Sequence, residues 1–510
     1  MKPIIRGQLD RRKREIAGRL EPLMGGTEPR SGGRPEFSGP SPTYEIADRA
    51  EAIPYGGIGA IHELVRSLGL PQRLDEQLQI LKRYRPYHES DHVLNIAYNL
   101  LCGGQVLDDI EHRRNDVAYL KALGARAIPD PTTAGDFCRR FDADAIWRLM
   151  GVINDVRVGV WLRQAASFTG QTARIDVDGS IVPTTGECKQ GMDMSYKGVW
   201  GYHPLLVSLA NTGEPLFIAN RSGNRPSHEG APAALDQAIQ LCRRAGFEDI
   251  LLRGDTDFTM AAHLDRWTDA GVRFVFGYDA NPSFVNQASS LGDREYIELV
   301  RKADQAFVKQ PRAKQPRIKE ERVKQRGYRN LRLLSEDTAE FEHRPDKAKR
   351  SYRIVVLRKL IVEERGQQTL DINYRYFFYV TNDRRLSQKQ IIAESNGRCN
   401  QENLIEQLKN GARALHAPLN TLEANWAYMV MASLAWTFKA WFALLLPIVP
   451  RWRERHERDR QLVLRMEFRS FLQQLVLIPA QIICSGRRLI YRMLAWRPRL
   501  PILFRLLDAL

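Results

Sequence analysis

Residues 398–409 read Arg-Cys-Asn-Gln-Glu-Asn-Leu-Ile-Glu-Gln-Leu-Lys, and the organisation of the chain is easiest to follow outward from this stretch. If it is helical, steps of four and seven residues return to nearly the same side of the helix. Arg398, Glu402, Glu406 and Lys409 then share one face, on which two carboxylates are flanked by two cations. Such a face is usually solvated and held by ion pairs between neighbouring turns. Acidic residues at predicted strand ends upstream favour a functional interpretation instead.

The composition is that of a large globular protein with a strongly basic balance. The chain has 510 residues, is 43% hydrophobic and 27% charged, and carries a formal net charge of +16. A chain of this length is expected to form at least two domains. The positive charge favours a polyanionic partner, nucleic acid ahead of an anionic membrane. The six cysteines form no Cys-x-x-Cys pair, which predicts neither a zinc site nor a disulfide framework and favours reduced thiols.

One stretch, residues 427–449, is apolar enough to suggest a membrane span. It contains Lys439 near its middle and Pro447 near its end, so we predict a helix buried inside the protein. The N-terminus is basic but is not followed by an apolar segment, so no signal peptide is predicted. We therefore expect a cytoplasmic protein with no membrane partner.

Changes in composition and periodicity predict six regions. Residues 1–42 are rich in Arg, Gly, Pro and Ser, which is typical of a disordered basic tail. Residues 43–168 show helical periodicity with interleaved basic side chains, so we predict a helical domain that contacts DNA. Residues 169–280 and 373–450 are predicted to form the two parts of an α/β domain. Between them, residues 281–372 form a β-rich basic insertion, and residues 451–510 form a basic helical C-terminal region.

Two short strand-like runs in the α/β region end in aspartate. The first, residues 173–180, carries Asp176 and Asp178 on one face and ends at a glycine turn. The second, residues 249–255, is apolar and ends in Asp255. The surrounding pattern predicts a hairpin at residues 204–219 and helices at residues 230–246 and 259–270. A further strand is predicted at residues 272–276. These elements predict a mixed α/β sheet with acids at its strand ends.

Asp178, Asp255 and Glu402 would form a site suited to hard cations if they converge. Carboxylate oxygens without a histidine or thiolate partner favour Mg²⁺ or Mn²⁺. Cleavage of a phosphodiester needs an activated nucleophile and a stabilised leaving oxygen, and a pair of metal ions supplies both. These three residues therefore predict metal-dependent phosphodiester chemistry.

Each of the three acids has a neighbouring carboxylate that could replace it, namely Asp176, Asp257 or Glu406. In the insertion, basic residues crowd the run between residues 309 and 326. This run could contact phosphates or could be a solvated charged surface. Its candidates for DNA contact are Lys314, Arg317 and Lys319.

Together these motifs resemble those of bacterial insertion-sequence transposases of the DDE type, close to the family called transposase DDE domain group 1. The hallmark of the wider superfamily is Tyr-x2-Arg-x3-Glu-x6-Lys, and Arg398, Glu402 and Lys409 match its last three positions. Ser395 stands at the tyrosine position. The similarity runs over residues 54–445. Further matches are Asp178-Gly179-Ser180, Arg253-Gly254-Asp255-Thr256-Asp257-Phe258, Tyr379-Val380-Thr381-Asn382, Asn400-Gln401-Glu402-Asn403-Leu404-Ile405, and Leu408-Lys409-Asn410-Gly411 with Asn425-Trp426-Ala427.

The resemblance implies an RNase H-like catalytic domain interrupted by a β insertion, with helical regions at both ends of the chain. It implies that the acids Asp178, Asp255 and Glu402 are catalytic and hold two Mg²⁺ ions, with Mn²⁺ as a substitute. In such enzymes water attacks the phosphodiester at the element's end, and the freed 3′-OH then attacks target DNA. The implied partners are double-stranded DNA, as element ends and as target, and a second copy of the chain in the synaptic complex.

Three basic residues near the acids are further candidates for DNA contact. The resemblance implies that Arg398 and Lys409 lie beside the phosphates, and Arg253 belongs to the matched motif around the second aspartate. The alternative function is an RNase H-like nuclease or junction resolvase, which would cut DNA without joining it. A DNA hairpin intermediate, which some relatives form with the help of an insertion tryptophan, is left open because this chain has no tryptophan between Trp267 and Trp426.

Overall fold

The computed structural model describes residues 3–24, 42, 44, 50–83, 86–186, 188–300, 329–365 and 368–510. The chain divides into two compact units, which we call the helical unit and the sheet unit. The helical unit comprises Met1–Gln164, Pro183–Gly191 and Glu406–Leu510. The sheet unit comprises Ala165–Val182 and Met192–Ile405.

The strands are numbered in chain order over the described residues. They are β1 (Ala52–Ile53), β2 (Ala173–Gly179), β3 (Val182–Pro183), β4 (Asp193–Met194), β5 (Trp200–Tyr202), β6 (Leu205–Leu209), β7 (Glu214–Ala219), β8 (Ile250–Gly254), β9 (Arg273–Tyr278), β10 (Ile297–Glu298), β11 (Arg329–His343), β12 (Tyr352–Arg365), β13 (Gln368–Thr381), β14 (Ala480–Ser485) and β15 (Arg488–Met493).

Nine strands form one mixed sheet in the sheet unit, in the order β10-β11-β12-β13-β9-β8-β2-β6-β7. β2, β8 and β9 run parallel to one another, whereas β6, β7 and the strands from β10 to β13 pair antiparallel with their neighbours. In β2 the apolar side chains Ala173, Ile175 and Val177 are fully buried, and the alternating residues present Asp176 and Asp178 on the opposite face. Parallel strands end at the same edge of a sheet, so the carboxyl ends of β2 and β8 lie together.

The helices of the sheet unit cover this sheet. They are Ala166–Thr169, Ala231–Arg244, Ala261–Asp269, Pro282–Ser290, Gln388–Gly397 and Cys399–Glu406, of which the last reaches into the helical unit by one residue. The helix Gln388–Gly397 packs through Ile391 and Ile392 on a buried cluster that includes Leu251 and Val275 of the central strands. This packing holds the end of the helix, and therefore Arg398, on the face that also carries the strand-end acids.

The mixed α/β, RNase H-like sheet is confirmed, and so are the predicted hairpin, helices and strands between residues 204 and 278. The insertion differs from the expectation in one respect, because its strands extend the central mixed sheet. β13 runs through the predicted boundary at residues 372 and 373, and its last residues pair with β9. The uninterrupted aromatic and β-branched run from Tyr374 to Val380 favours one long strand over a break at this point.

The helical unit surrounds one long helix, Leu422–Leu444, which we call the core helix and whose residues 424–444 are all buried. Among the described residues it is the helix that is long and apolar enough to cross a membrane, and the apolar stretch that meets this test is entirely buried. It packs against the helices Glu89–Leu101 and Ala143–Leu162. The prediction of a buried helix is confirmed. The other helices of this unit are Pro3–Met24, Ile58–Ser67, Leu70–Gln77, Ile110–Arg114, Val117–Leu123, Pro131–Cys138, Arg453–Arg465, Phe468–Phe471 and Leu500–Leu507.

The two ends of the chain differ from the sequence predictions. Within the tail predicted to be disordered, Pro3–Met24 is helical, because this part is rich in Arg, Lys, Glu and Leu, which favour helices. Residues 25–41 lie outside the described residues. The C-terminal region, predicted as helical, contains the hairpin β14–β15, which pairs with β1. Ile482 and Ile483 in the first strand and Ile490 and Tyr491 in the second favour strands, and Gly486 adopts a φ of 57° in the turn between them.

Candidate active site

Asp178 lies at the end of β2 with its side chain 15% exposed. Its Oδ1 accepts a hydrogen bond of 2.8 Å from the backbone N–H of Gly179, and its Oδ2 accepts one of 3.1 Å from Nη1 of Arg398. Burial raises the pKa of Asp178 to about 6, the charge of Arg398 opposes this rise, and the negative charges of Asp255 and Glu402 add to it. Asp178 therefore lies in a partly dry, electrostatically crowded position.

Asp255 directly follows β8 and caps the short turn Thr256–Phe258. Its Oδ1 accepts a hydrogen bond of 3.0 Å from the backbone N–H of Asp257. Burial raises the pKa of Asp255, Arg398 opposes the rise, and the charges of Asp257 and Glu402 contribute to it. The capping contact fixes the Asp255 carboxylate, whereas Asp257 is exposed.

Arg398 lies at the junction of the helices Gln388–Gly397 and Cys399–Glu406. Its Nη2 is 3.6 Å from Oε1 of Glu402, one turn further on, as the spacing predicts. Glu402 is 63% exposed, so its side chain is held by little besides this ion pair. Arg398 thus contacts two of the three predicted acids and acts electrostatically on the third.

The predicted continuous helix from Arg398 to Lys409 is wrong in its last part. The α-helix ends at Glu406, and a π-helical turn, Gln407–Gly411, follows. A π-helical turn contains more residues than an α-helical turn, so Lys409 does not continue the periodicity of Arg398 and Glu402. Lys409 and Glu406 belong to the helical unit, where the Glu406 carboxylate accepts a 2.7 Å hydrogen bond from Nδ2 of Asn410.

The donor set fits a hard divalent cation by its chemistry. Asp178, Asp255 and Glu402 supply carboxylate oxygens only. The charge of Glu402 raises the pKa of Asp178 and that of Asp255, and the charge of Asp255 raises the pKa of Asp178. Within the described part of the chain, no three His, Cys, Asp or Glu side chains lie close enough together to ligate one ion. For the three acids to ligate a common ion, the side chain of Glu402 would have to rotate, and its exposure leaves room for that rotation.

Arg253, expected to contact DNA, is buried, and that prediction is wrong. Its side chain is 3% exposed, and its Nε and Nη2 donate to both carboxylate oxygens of Asp176 at 2.7 and 2.8 Å. Nη1 donates to the backbone oxygen and the carboxylate of Glu394, which the sequence did not reveal as important. A charge buried at this position is tolerated only when it is paired, so Arg253 is unavailable to a phosphate. The same pairing accounts for the burial of Asp176.

A cavity of about 910 Å³ lies beside the turn that follows Asp255, and none of the three acids lines it. Thr256, Asp257, His228, His263 and Lys347 are among the residues that line it. The basic candidates Lys314, Arg317 and Lys319 lie outside the described residues.

Comparison with known proteins identifies the family of the chain. The sequence model of the family transposase DDE domain group 1 matches residues 54–510. The chain belongs to this family. As a DDE transposase it is an enzyme of DNA transposition and recombination, in a family that generally uses divalent metal ions.

No curated protein matches this transposase. Among solved structures it is similar to the piggyBac transposase in a synaptic complex with hairpin DNA, with 9% identity, a TM-score of 0.38, and coverage of 82% of this chain and 81% of that chain.

Proposed function

We propose that this transposase binds the terminal repeats of a bacterial insertion sequence and catalyses metal-dependent strand cleavage and strand transfer into target DNA. The observation that carries the proposal is that Arg398 pairs with both Asp178 and Glu402 and that its charge also acts on Asp255. Two of the acids come from neighbouring parallel strands and the third from a helix packed on the same sheet. Three carboxylates that share the charge of one arginine repel one another and destabilise a folded protein, which supports a functional reason for their presence.

The residues of the site would have two roles, the binding of metal ions and the binding of DNA phosphates. Asp178, Asp255 and Glu402 would hold divalent cations, Mg²⁺ in the cell with Mn²⁺ as a substitute. When bound, a pair of such ions activates the attacking oxygen and stabilises the leaving one. Arg398, whose planar guanidinium suits phosphate oxygens, would transfer its contacts from the carboxylates to the DNA backbone.

Two successive reactions would use the same site. In the first, a water oxygen bonds to phosphorus at the element's end, the bond to the 3′ oxygen breaks, and a free 3′-OH results. In the second, that 3′-OH bonds to a phosphorus of target DNA and displaces a 3′ oxygen there. Both steps form and break the same kinds of bond, so one set of ligands serves both.

Double-stranded DNA is the proposed partner, both as element end and as target. The net charge of +16 supports this, since phosphate contacts dominate the affinity of proteins for DNA. Lys409 and the basic run that contains Lys314, Arg317 and Lys319 would contribute such contacts. We propose a homodimer that holds two element ends in the bacterial cytoplasm.

A plasmid that carries both element ends tests the proposal. Excision and insertion should require Mg²⁺ and should be lost in Asp178→Asn and in Glu402→Gln. Glu406→Gln, an exposed acid one turn beyond Glu402, is the matched control and should retain activity. Cutting without joining would favour the nuclease or junction resolvase, and full activity in either active-site variant would show that the acid is wrongly assigned.

A further inference from the structure

A chain of buried and partly buried ion pairs lies directly beside the three acids in the sheet unit. Arg253 of β8 binds Asp176 of β2 through two parallel hydrogen bonds of 2.7 and 2.8 Å. Its Nη1 donates to the backbone oxygen of Glu394 at 3.0 Å and to the Glu394 carboxylate at 3.3 Å. Arg174 of β2 holds the same carboxylate at 2.8 and 2.6 Å. These four residues, which we call the buried clamp, join two strands and one helix.

Each strand of the clamp carries a predicted acid two residues further on. Asp176 precedes Asp178 and Arg253 precedes Asp255, and a step of two residues keeps the same face of a strand. The parallel register pairs Asp176 with Arg253 directly. A displacement of one strand against the other at the clamp would therefore change the separation of the two aspartates by a similar amount.

The third arm of the clamp reaches the helix that leads to Arg398 and Glu402. Glu394 stands one turn before Arg398 and about two turns before Glu402. Gly397 lies so close to Arg253 that a Cβ atom there would be 2.6 Å from Nη1. Arg253 thus passes against the last residue of the helix Gln388–Gly397, and any larger residue at position 397 would displace it.

The clamp residues have little freedom to move. Asp176 and Arg253 are almost completely buried, whereas Glu394 is 17% and Arg174 34% exposed at the outer end of the clamp. Breaking one partner of a buried pair leaves an uncompensated charge, so the arrangement holds as a unit. Bidentate arginine–carboxylate contacts also fix orientation, which a lysine at the same position would not do.

We propose that Asp176, Arg253 and Glu394 are positioning residues, which set the separations of Asp178, Asp255 and Glu402 without touching DNA or metal. The inference rests on the proposed function of those three acids. It assigns to the buried pairs a role in the geometry of the site, in addition to any contribution they make to stability.

Arg273 of β9 provides a matched control for a purely structural role. It is 13% exposed and forms ion pairs with Asp249 and Asp383. In the parallel register of β8 and β9 it is level with Leu251, four residues before Asp255. Four residues of strand correspond to about 13 Å. Loss of the two ion pairs of Arg273 should therefore weaken the fold without moving Asp178, Asp255 or Glu402.

The experiment compares Arg253→Lys, Glu394→Gln and Arg273→Lys in the full-length chain. Folding is checked by circular dichroism, Mn²⁺ binding by calorimetry, and cleavage under single-turnover conditions on an element end. For Arg253→Lys we expect Mn²⁺ affinity to fall about tenfold or more and the cleavage rate to fall about 100-fold, with DNA affinity within about twofold of wild type. Arg273→Lys should lower the melting temperature but keep Mn²⁺ affinity and cleavage rate.

The other outcomes of this experiment either support or overturn the positioning role of the clamp. If Arg253→Lys fails to fold, Glu394→Gln, which keeps the size of a more exposed residue, gives the same test. Clamp variants that match Arg273→Lys in Mn²⁺ affinity and in cleavage rate would overturn the inference. Failure of the wild type to bind Mn²⁺, or unchanged binding in Asp178→Asn, would instead count against the proposed function.

Discussion

At the scale of single residues, the Arg398 guanidinium contacts two of the three carboxylates and acts electrostatically on the third. It lies 3.1 Å from Asp178 and 3.6 Å from Glu402, and its charge opposes the rise in the pKa of both Asp178 and Asp255. Clustered carboxylates repel one another unless a cation lies among them. Arg398 therefore stabilises the site in the absence of divalent ions, and bound cations would take over that task.

The variant Arg398→Gln tests this role by thermal unfolding with EDTA or with Mg²⁺. Without the guanidinium we expect the unfolding temperature in EDTA to fall by about 2 °C or more, and Mg²⁺ to restore it by a larger step than in the wild type. Arg385→Gln, at an exposed arginine paired with Asp249 and Asp383, is the control and should respond to Mg²⁺ as the wild type does. An equal response of all three proteins would contradict the account.

The ion pair of Arg398 with Glu402 could be predicted from the sequence, whereas the burial of Arg253 could not. The first depends only on helical spacing, which is visible in the sequence. The burial of Arg253 depends on the register of β2 and β8, which pairs it with Asp176 across about 80 intervening residues. Inside an Arg-Gly-Asp motif at a strand end, an arginine is easily taken for an exposed one.

At the scale of elements, one glycine allows two segments of the helical unit to meet. The backbone N–H of Gly57 donates to the carbonyl oxygen of Val476 at 3.0 Å, and a Cβ atom at Gly57 would lie 1.9 Å from the carbonyl oxygen of Leu475. A backbone oxygen cannot move away as a side chain can. The approach of the helix Ile58–Ser67 to the chain near residue 475 therefore requires glycine at position 57.

Gly57→Ala should lower the free energy of unfolding by about 2–4 kcal/mol, because the segments must separate. Gly151→Ala is the control, since Gly151 lies within the helix Ala143–Leu162 and no atom outside its own helix would lie within 4 Å of the new Cβ. That substitution should raise the free energy of unfolding by up to about 1 kcal/mol, because alanine favours helices. Urea unfolding measures both, and equal stability of the two variants would contradict this description of the contact.

The core helix contains one charged side chain away from its ends, and its charge depends on pH. Nζ of Lys439 donates to the carbonyl oxygens of Leu464 and Met466 at 2.9 and 2.6 Å, and it lies 3.6 Å from the centre of the Trp436 ring. Burial lowers the pKa of Lys439 to about 7. An unfolded lysine keeps its proton to about pH 10, so above pH 7 the unfolded chain binds more protons than the folded one.

Under these conditions stability rises with pH. We expect the free energy of unfolding to increase by about 1–2 kcal/mol between pH 7 and pH 9 in the wild type. Lys439→Met, which keeps the length of the side chain without the charge, should lack this increase. Urea unfolding at the two pH values makes the comparison, and identical pH profiles would show that the carbonyl oxygens and the Trp436 ring hold the proton in place.

Helices and strands were predictable from the sequence where a local pattern of residues sets their structure. They were not predictable where contacts with residues far away in the sequence set it. The hairpin β6–β7 and the strand β8 follow from short apolar runs and turn residues that lie side by side in the sequence. The π-helical turn Gln407–Gly411 interrupts a sequence that reads as regular helix. The N–H of Phe468, about 60 residues away, donates to the Gln407 side chain, a contact that no local pattern could show.

At the scale of the whole molecule, six regions predicted from composition become two units. Met1–Gln164 and Glu406–Leu510 form most of one unit, although the chain of the sheet unit separates them in the sequence. The physical reason is the core helix, which is apolar on all sides and is covered by helices from before and after the sheet unit. Composition reveals that this helix is buried, but not which segments bury it.

The central claim is that Asp178, Asp255 and Glu402 bind the metal ions of a transposase. The most direct measurement is cleavage of an element end by Asp178→Cys, Asp255→Cys and Glu402→Cys, with Mg²⁺ and with Mn²⁺. Mg²⁺ strongly prefers oxygen ligands, whereas Mn²⁺ tolerates a thiolate, so each variant should be inactive with Mg²⁺ and regain cleavage with Mn²⁺. Wild-type cleavage with Mg²⁺ in any one of them would remove that residue from the site, and cleavage by the wild type in EDTA would contradict the account as a whole.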